Sequence, residues 1–463
     1  MLAGRIDRSA IAAVGTTIDH DFVLFLVVIT TIESMLGGGG RLVAIGPISL
    51  RMMVFGFYCM TFLLMALILP SRIQPLSWLV CITISVFVGF FSFIGVLHHA
   101  GLTAAVMDAN SFFSLAYIVL LFAFFTIRTD GTQFFLNLFV KCALMIALFT
   151  ILMYLLAVIG AVNLRKLDAL FRAFAYGGNT GMMKGKIPRI YFISQIYLQV
   201  AFGIVLSRLL FAGERERQRR LTLGIQAMIL LFAALLSFTR GYWLGIVVTF
   251  MILMLLSRFT QRLKVILSGA LIFIALLSFV AAAGVYDFGV LKERFVSSFQ
   301  LGSVREDHGD YVRLLEVIQV SSQFRQSPLL GVGFGVPMPS SYYIIRERIT
   351  GKTLEGTEVV IELSYLDLLR KAGLVGFMLF IISLFILYRK IRTVLSSGKS
   401  TPDYPAVAGY FAGFGGFLIT AGTNPYLLSS SGIFLFTIAI ALVLALKDLD
   451  SGMNYATLRA QNR

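Results

Sequence analysis

Apolar segments long enough to cross a lipid bilayer recur along almost the whole chain of 463 residues. A helix needs about 20 apolar residues to cross the hydrocarbon core. Because that core offers no water to the backbone, spans of this length must be helices, whose hydrogen bonds are internal. The sequence therefore predicts an all-α, polytopic membrane protein with about twelve transmembrane helices. The predicted spans lie at 21–36, 50–69, 76–97, 111–127, 134–160, 190–211, 221–239, 242–257, 265–285, 372–388, 406–421 and 431–446.

Composition excludes a soluble protein. Hydrophobic residues make up 58% of the chain and charged residues 13%, which is about half the charged fraction of soluble domains. The formal net charge is +16, but cytoplasmic loops of membrane proteins collect Lys and Arg. We therefore expect a bilayer, and not nucleic acid, as the setting of these charges. Cys59, Cys81 and Cys142 lie in predicted spans and are interpreted as small buried hydrophobes.

The short loops alternate in charge along the chain. Since Lys and Arg mark the cytoplasmic side, the basic loops are predicted to be cytoplasmic, together with both termini. The basic positions on that side are Arg5, Arg8, Arg72, Arg128, the run 214–220, Arg258, Arg262, Lys264, the run 389–392 and Lys447. The long polar segment 286–371 then lies outside, with a smaller loop at 161–189 that ends in Arg189.

The predicted spans and loops divide the chain into three parts. Residues 1–285 carry about nine spans, 286–371 form a large extracytoplasmic loop with short helices, and 372–463 carry about three spans and a cytoplasmic tail. Loops on a rigid scaffold are where binding and catalytic residues concentrate. The loop 286–371 is therefore the first place to search for a functional site.

A nearly loop-free junction between two spans, Ser237-Phe-Thr-Arg-Gly-Tyr-Trp-Leu-Gly245, places Arg240 at the outer membrane interface. A guanidinium there is suited to phosphate, because it binds phosphate oxygens in a bidentate manner and stays charged. The alternative is an interfacial arginine that reaches lipid headgroups, with Tyr242 and Trp243 as belt residues.

Two features of the large loop carry a weaker signal. Arg313 lies on a helix-like run at 311–318, where a solvated surface charge is the competing interpretation. Gly331, Gly333 and Gly335 are not part of a strand–helix unit, so they do not form a nucleotide fingerprint. We interpret them as a tight turn that lets the backbone approach the membrane or a substrate.

Glu362 is predicted to begin the helix that re-enters the membrane. A carboxylate there can act as a general base for an attacking hydroxyl, or it can stabilise the helix dipole. His308 with Asp310 is a rival base, and Glu355 and Glu358 are weaker ones. The four histidines are scattered and the acidic residues lack ligand spacing, so no metal site is expected.

Taken in order, these segments resemble the O-antigen ligase/polymerase superfamily of membrane glycosyltransferases. The family pattern has Ser-x-x-Arg-Gly between two spans, here Ser237–Gly241, followed by an outer-loop arginine, here Arg313. It continues with Pro-Leu-x-Gly-x-Gly, here within Pro328–Gly335, and then His-Asn-x-Tyr-Leu, here Glu362–Leu366. A Gly-x-x-Gly span follows, here Gly373–Gly376.

The resemblance is strongest from about Leu221 to Leu387, and it implies a GT-C-like helical fold in the bacterial inner membrane. It implies a polyprenyl-diphosphate-linked glycan donor, a glycan acceptor and metal-independent transfer on the outer side. A chain-length regulator and a flippase of the same pathway are the implied protein partners. Arg240 and Arg313 would then grip the diphosphate, and Glu362 would serve the acceptor hydroxyl.

The predicted substrate-binding residues are Arg189, Tyr242, Gly331, Gly333 and Tyr365. Ligases of the family carry His at the position of Glu362, and this difference favours a polymerase of exopolysaccharide or O-antigen repeat units over a ligase. A transporter or flippase is the rival class, since about twelve spans suit one equally well. Against transport, the spans hold few carboxylates and lack a matched pair of broken helices.

Overall fold

The computed structural model describes fourteen parts of the chain, and the following statements concern those residues alone. They are 8–37, 44–45, 48–49, 52–60, 75–128, 130–164, 166–167, 178–183, 187–211, 217–257, 269, 308–350, 361–397 and 402–450. The predicted span at 265–285 lies outside them except for Gly269, as do residues 61–69 of the second span and the rival bases Glu355 and Glu358.

Helices dominate the structure, and two short antiparallel hairpins interrupt them. The helices are α1 (Arg8–Leu36), α2 (at 52–60), α3 (Pro75–Leu97), α4 (Leu102–Ala109), α5 (Tyr117–Ile127), α6 (Gly131–Val158), α7 (Ile196–Phe211), α8 (Arg217–Leu236), α9 (Arg240–Leu256), α10 (His308–Gln326), α11 (Ser340–Thr350), α12 (Ser364–Ser397), α13 (Tyr404–Ala421) and α14 (Ser430–Asp450). The hairpins pair β1 (Ala44–Ile45) with β2 (Ile48–Ser49), and β3 (Gly178–Met183) with β4 (Ile187–Phe192). Short 3₁₀ segments, Asn110–Ala116 and Ile193–Gln195, lead into α5 and α7.

Seven helical segments of the described chain are long and apolar enough to span a membrane: Trp78–Leu97, Leu102–Ile127, Gly131–Val158, Ile193–Phe211, Gln218–Leu236, Ser364–Ser396 and Tyr404–Ala421. Shorter apolar helices lie at Arg240–Leu256 and Ser430–Leu446. Each of these nine coincides with a span predicted from the sequence. The all-α, polytopic membrane class is therefore confirmed, whereas the total of about twelve spans and the GT-C-like arrangement stay predictions.

The centre of the bundle is built by α7, α9 and α13, which pack through glycines. A Cβ on Gly203 would lie 2.5 Å from the carbonyl oxygen of Gly409, and one on Gly416 would lie 2.2 Å from Thr249 Oγ1. Small residues let helix backbones approach closely where lipid supplies no hydrophobic driving force. At one end of this core, Thr420 Oγ1 lies 2.9 Å from the carbonyl oxygen of Gly241. The start of α9 is thus fixed against the end of α13.

Helix α12 is broken at Gly373, whose φ of 61° and ψ of −168° are not helical. The loop after α10 fills the break: the amides of Leu374 and Val375 donate to the carbonyls of Pro328 and Leu329. In return, the carbonyls of Arg370 and Lys371 accept hydrogen bonds from the amides of Val332 and Gly333. These four hydrogen bonds give partners to backbone groups of α12 on both sides of the kink, and they anchor the large loop to a membrane helix.

The predicted outer loops converge at one end of the bundle. Ser364, which follows segment 361–363, hydrogen bonds to Asn424. Gly241, which follows segment 237–239, packs against Thr423 and Asn424, and Met338 packs in one apolar cluster with Ile361. At the other end, Asp130 and Arg208 are both close enough to Asp403 to interact with its charge. The predicted outer loops and the predicted cytoplasmic loops thus lie at opposite ends of the bundle, as the predicted topology requires. Which end faces the cytoplasm stays a prediction.

Candidate active site

The structure brings together two of the predicted catalytic residues. Arg313 Nε lies 3.4 Å from Glu362 Oε2, and the side chains are 31% and 35% exposed. Arg313 also donates from Nη2 to the carbonyl of Thr423 at 3.4 Å. Both contacts are long, and the two side chains are about one-third exposed. An anion from the surroundings can therefore reach the guanidinium and compete for it.

Glu362 precedes α12 and does not begin it, which corrects the predicted start of the helix. Helix α12 begins at Ser364, and the ion pair described for the Glu362 side chain is with Arg313. The backbone amides of Glu362 and Leu363 donate instead to the carboxylate of Glu316, at 3.0 and 3.3 Å. The backbone ahead of α12 is therefore held by a carboxylate from α10.

The start of α12 is also tied to the loop after α13. The Ser364 hydroxyl donates to the carbonyl of Asn424 and accepts from the amide of Leu427. The Tyr365 hydroxyl donates to the carbonyl of Leu418 at 2.6 Å. The described contacts of Tyr365 are thus with protein, and its predicted role in substrate binding gains no support from them.

Arg240 is the first residue of α9 and lies beside the same loop. The preceding Phe238 has a φ of 51°, so the chain turns sharply before the helix. A Cβ on Gly241 would lie 2.4 Å from Asn424 Nδ2 and 2.5 Å from Thr423 Oγ1. Because Arg313 contacts the carbonyl of Thr423, both predicted phosphate-binding arginines lie next to one short segment. Only glycine at position 241 allows the start of α9 to approach Thr423 and Asn424 so closely.

Arg189, on β4, reaches the junction that precedes α9. Its Nε donates to the carbonyl of Ser237 at 3.3 Å, and its guanidinium carbon lies 5.6 Å from the centre of the Tyr191 ring. Burial raises the pKa of Tyr191 to about 12, and the charges of Arg189 and Glu362 act on that pKa in opposite directions. Tyr191 is therefore close enough to both Arg189 and Glu362 for their charges to act on it.

Tyr242 belongs to a buried cluster of tyrosines. Its hydroxyl donates to the hydroxyl of Tyr426 at 2.9 Å, and Tyr426 also hydrogen bonds to Tyr191. Tyr242 is fully buried and packs inside the protein, so the interpretation as an interfacial belt residue is wrong for it. Its described hydrogen bond is with Tyr426.

The glycines of the large loop have a structural setting. With φ of 72° and 84°, Gly331 and Gly333 adopt a conformation that other residues resist. A Cβ on Gly331 would lie 2.5 Å from the amide nitrogen of Gly373, and one on Gly333 would lie 2.1 Å from the amide nitrogen of Gly95. The tight turn is confirmed, but its backbone approaches α12 and α3, so the prediction of substrate contacts by these glycines gains no support.

Sequence reasoning missed a second charged cluster, which is buried beneath the first. Arg370 and Lys371 each lie 2.9 Å from a carboxylate oxygen of Asp367. Lys371 also lies 2.8 Å from Asp108 Oδ1, and Asp108 Oδ2 accepts the amide of Gly335. The available signal was a carboxylate three and four residues before two cations at the edge of a span, the spacing of helix neighbours.

The described residues contain no group of three or more His, Cys, Asp or Glu suited to a metal ion. His308 and Asp310 lie in the first turn of α10, and their side chains are outside the description. Metal independence stays a prediction.

The fold is that of a multi-pass membrane protein. At one end of its bundle, the partly exposed Arg240 and Arg313 form a site suited to an anionic substrate. Residues 225–381 match the family model described as O-antigen ligase. This range contains the Ser237–Gly241 junction, Arg313, the glycine turn and Glu362. A relative named O-antigen polymerase, from Shigella flexneri, is 23% identical over 448 residues, which cover 94% of this chain and 98% of the relative.

Both comparisons show that the chain is similar to proteins of the O-antigen ligase/polymerase superfamily. Its long apolar helices indicate a multi-pass membrane protein.

Proposed function

We propose that this protein polymerises oligosaccharide repeat units carried on a polyprenyl diphosphate, on the outer face of the inner membrane. The observation that carries the proposal is the partly exposed pair of Arg313 and Glu362, 3.4 Å apart, within the part of the chain that matches the family. Such a pair can serve both reactants, since one member binds an anion and the other accepts a proton.

The diphosphate of the donor is proposed to bind Arg313 and Arg240. A lipid diphosphate carries more negative charge than one carboxylate, so it competes with Glu362 for the guanidinium of Arg313. Arg313 then exchanges its long contact with Glu362 for bidentate contacts with phosphate oxygens. This exchange frees the Glu362 carboxylate at the moment when the donor is in place.

In the chemical step, an acceptor sugar hydroxyl attacks the anomeric carbon of the donor. The bond from that carbon to the diphosphate oxygen breaks, and the diphosphate leaves with the electron pair. Glu362 accepts the hydroxyl proton. Fixed guanidinium groups stabilise the charge that develops on the leaving group, the role that preorganised cations play in other transfer reactions. Arg189 is proposed to bind the glycan or the diphosphate from the side of Tyr191.

Polymerase activity is proposed ahead of ligase activity for two reasons. The relative that aligns along almost the whole chain is named a polymerase. The residue at 362 is Glu, where ligases of the family carry His. Ligation of the glycan to a lipid or protein acceptor is the second candidate, because the matching family model is described as O-antigen ligase.

The test uses the purified protein in proteoliposomes with a synthetic polyprenyl-diphosphate oligosaccharide, with and without a lipid acceptor. A ladder of products that differ by one repeat unit is expected without the acceptor, and EDTA should not abolish it. A single product that forms only with the acceptor would instead support a ligase. Movement of the substrate across the membrane without new glycosidic bonds would contradict both and support a flippase.

Topology is tested with an impermeant thiol reagent on intact cells. In a chain whose three native cysteines are replaced, a cysteine at the exposed position 341 of α11 should be labelled. One at the exposed position 396 should be labelled only after permeabilisation, because it lies at the far end of α12, whose start packs beside α11. The reverse pattern would overturn the orientation and place the site inside the cell.

A further inference from the structure

One buried carboxylate connects two helices of the large loop to the residue proposed as the base. Glu316 lies on α10, three residues after Arg313, so the two side chains share a helix face. The Glu316 side chain is fully buried. Its hydrogen-bond partner Tyr342 and the adjacent Leu315 belong to a buried apolar cluster with Val320, Met338 and Ile361. A carboxylate in such a place needs donors, because an unpaired buried charge is costly.

Three donors point at Glu316. The amides of Glu362 and Leu363 approach its two oxygens at 3.0 and 3.3 Å. The Tyr342 hydroxyl donates to it at 3.2 Å and accepts from Arg346 Nη1, also at 3.2 Å. Helix α10 therefore holds Glu362 in two ways: Arg313 pairs with its side chain, and Glu316 binds its backbone.

We propose that Glu316 is a positioning residue, which fixes the backbone of Glu362 so that its carboxylate meets Arg313 and the acceptor hydroxyl. The proposal rests on the proposed function only for the effect on turnover. The placement of the Glu362 backbone can be measured without any substrate. In the reaction, Glu316 touches neither sugar nor diphosphate and acts through Glu362.

The arrangement makes this placement sensitive to pH. The titratable and charged groups that act on Glu316 are Glu362 ahead of α12 and Tyr342 and Arg346 on α11. Arg313 lies about one turn earlier on the same helix. Burial raises the pKa of Glu316 to about 7, and the Glu362 amide, which hydrogen bonds to it, opposes that rise. Above that pH the carboxylate is ionised and accepts stronger, charge-assisted hydrogen bonds. Below it the carboxyl is protonated and those hydrogen bonds weaken, so the Glu362 backbone is held less firmly.

Hydrogen exchange of a peptide that contains residues 361–366 tests the placement. In the wild type, the protection of the Glu362 and Leu363 amides, corrected for the intrinsic rate, should fall as the pH is lowered through about 7. Glu316→Gln should lower the protection and remove this step, because an amide offers one acceptor where the carboxylate offers two. Glu316→Asp, which keeps the charge, should restore part of the step.

Val320→Ala is the matched control. It removes buried atoms from the same apolar cluster on the same helix but leaves all the donors to Glu316 in place. It should lower thermal stability and keep the pH step. If Glu316→Gln does not yield folded protein, the wild-type step and Glu316→Asp decide the question. Unchanged protection of residues 362 and 363 in Glu316→Gln, or no wild-type step, would overturn the proposal.

The turnover arm measures repeat-unit polymerisation against pH. Wild-type kcat should rise through about pH 7, while Glu316→Gln should give a flat profile with kcat lowered by up to about 10²-fold and KM little changed. A Glu316→Gln enzyme with the wild-type pH profile would overturn the positioning role. If the wild type does not act on the lipid-diphosphate oligosaccharide, the proposed function fails, and the exchange data still decide where Glu316 holds Glu362.

Discussion

Two charged clusters lie within ten residues of each other at the start of α12, and they differ in burial and in completeness. In the site cluster, Arg313 and Glu362 share a single 3.4 Å contact and are each about one-third exposed. In the buried cluster, Asp367 and Asp108 meet Arg370 and Lys371 at 2.8 to 2.9 Å, with side chains between 0% and 11% exposed.

The buried cluster is balanced, with two acids and two bases, and Arg370 has further partners. Its Nη1 donates to the carbonyl of Val336 at 2.8 Å and to Gln323 Oε1 at 3.2 Å. Charges satisfied in this way hold α4, α10 and α12 together and have little left for a ligand. The site cluster is loosely paired and reachable, and a substrate can compete for it. Burial and completeness, more than charge, thus separate a structural cluster from a functional one.

The first test of this difference removes one member of the buried cluster and asks whether the protein is destabilised. Arg370→Met should leave an uncompensated buried charge and destabilise the protein by about 3–5 kcal/mol, enough to lose most folded material. The measurement is the yield and melting temperature of the detergent-solubilised protein. Asp367→Asn with Arg370→Met keeps the remaining Lys371–Asp108 pair balanced and should recover part of the loss. Normal stability of the single variant would show that the cluster is not structural.

The second test changes the chemistry of the site cluster while keeping its charge, and asks whether turnover depends on the guanidinium groups. Arg313→Lys should lower turnover by about 10²–10³-fold, nearly as much as Arg313→Ala, because lysine offers a point charge without the bidentate fork. Arg240→Lys should behave in the same way. Stability should change by less than about 1 kcal/mol, the worth of an exposed ion pair.

Arg325→Lys serves as the control for Arg313→Lys, since Arg325 is an exposed residue of the same helix. It should leave polymer formation unchanged. Wild-type turnover in both Arg313→Lys and Arg240→Lys would refute the binding of the diphosphate by these side chains.

The sequence predicted the site cluster better than the buried one, for physical reasons. Arg240, Arg313 and Glu362 stand in polar junctions between apolar spans, where a charge is conspicuous. Asp367, Arg370 and Lys371 lie at the edge of an apolar span, and their pairing partner Asp108 is more than 250 residues away in the chain. No local pattern reports a contact at that distance. The apolar pattern likewise fixes the helices but not which of them pack together.

The glycine turn shows the same limit. A tight turn was predicted from the sequence, because glycines recur at every second position, and the positive φ values agree with it. What the turn approaches did not follow, since the break of α12 at Gly373 is created by tertiary hydrogen bonds. Glu316 was missed because a glutamate on an amphipathic helix is expected to be solvated. Its burial depends on α11 and on residues 361–363, which meet it only in the folded chain.

A smaller effect is expected at the glycine turn that packs beside the buried cluster. Gly333→Ala should destabilise the protein by about 1–3 kcal/mol, because the residue has a φ of 84° and a Cβ would lie 2.1 Å from the amide nitrogen of Gly95. Gly89→Ala on α3 is the control, since a Cβ there would point into open space. It should change the melting temperature little or raise it. Equal stability of the two variants would mean that the turn is not packed as described.

The decisive measurement compares Glu362→Gln with the wild type in one preparation, for polymer formation and for thermal stability. Glutamine keeps the size and the Glu316-bound backbone but cannot accept the proton. Polymer formation should fall by about 10²–10⁴-fold, while the free energy of unfolding should change by less than about 1 kcal/mol, because the pair with Arg313 is partly exposed. Nearly full turnover with slightly lowered stability would contradict a catalytic role for Glu362 and leave His308 as the next candidate base.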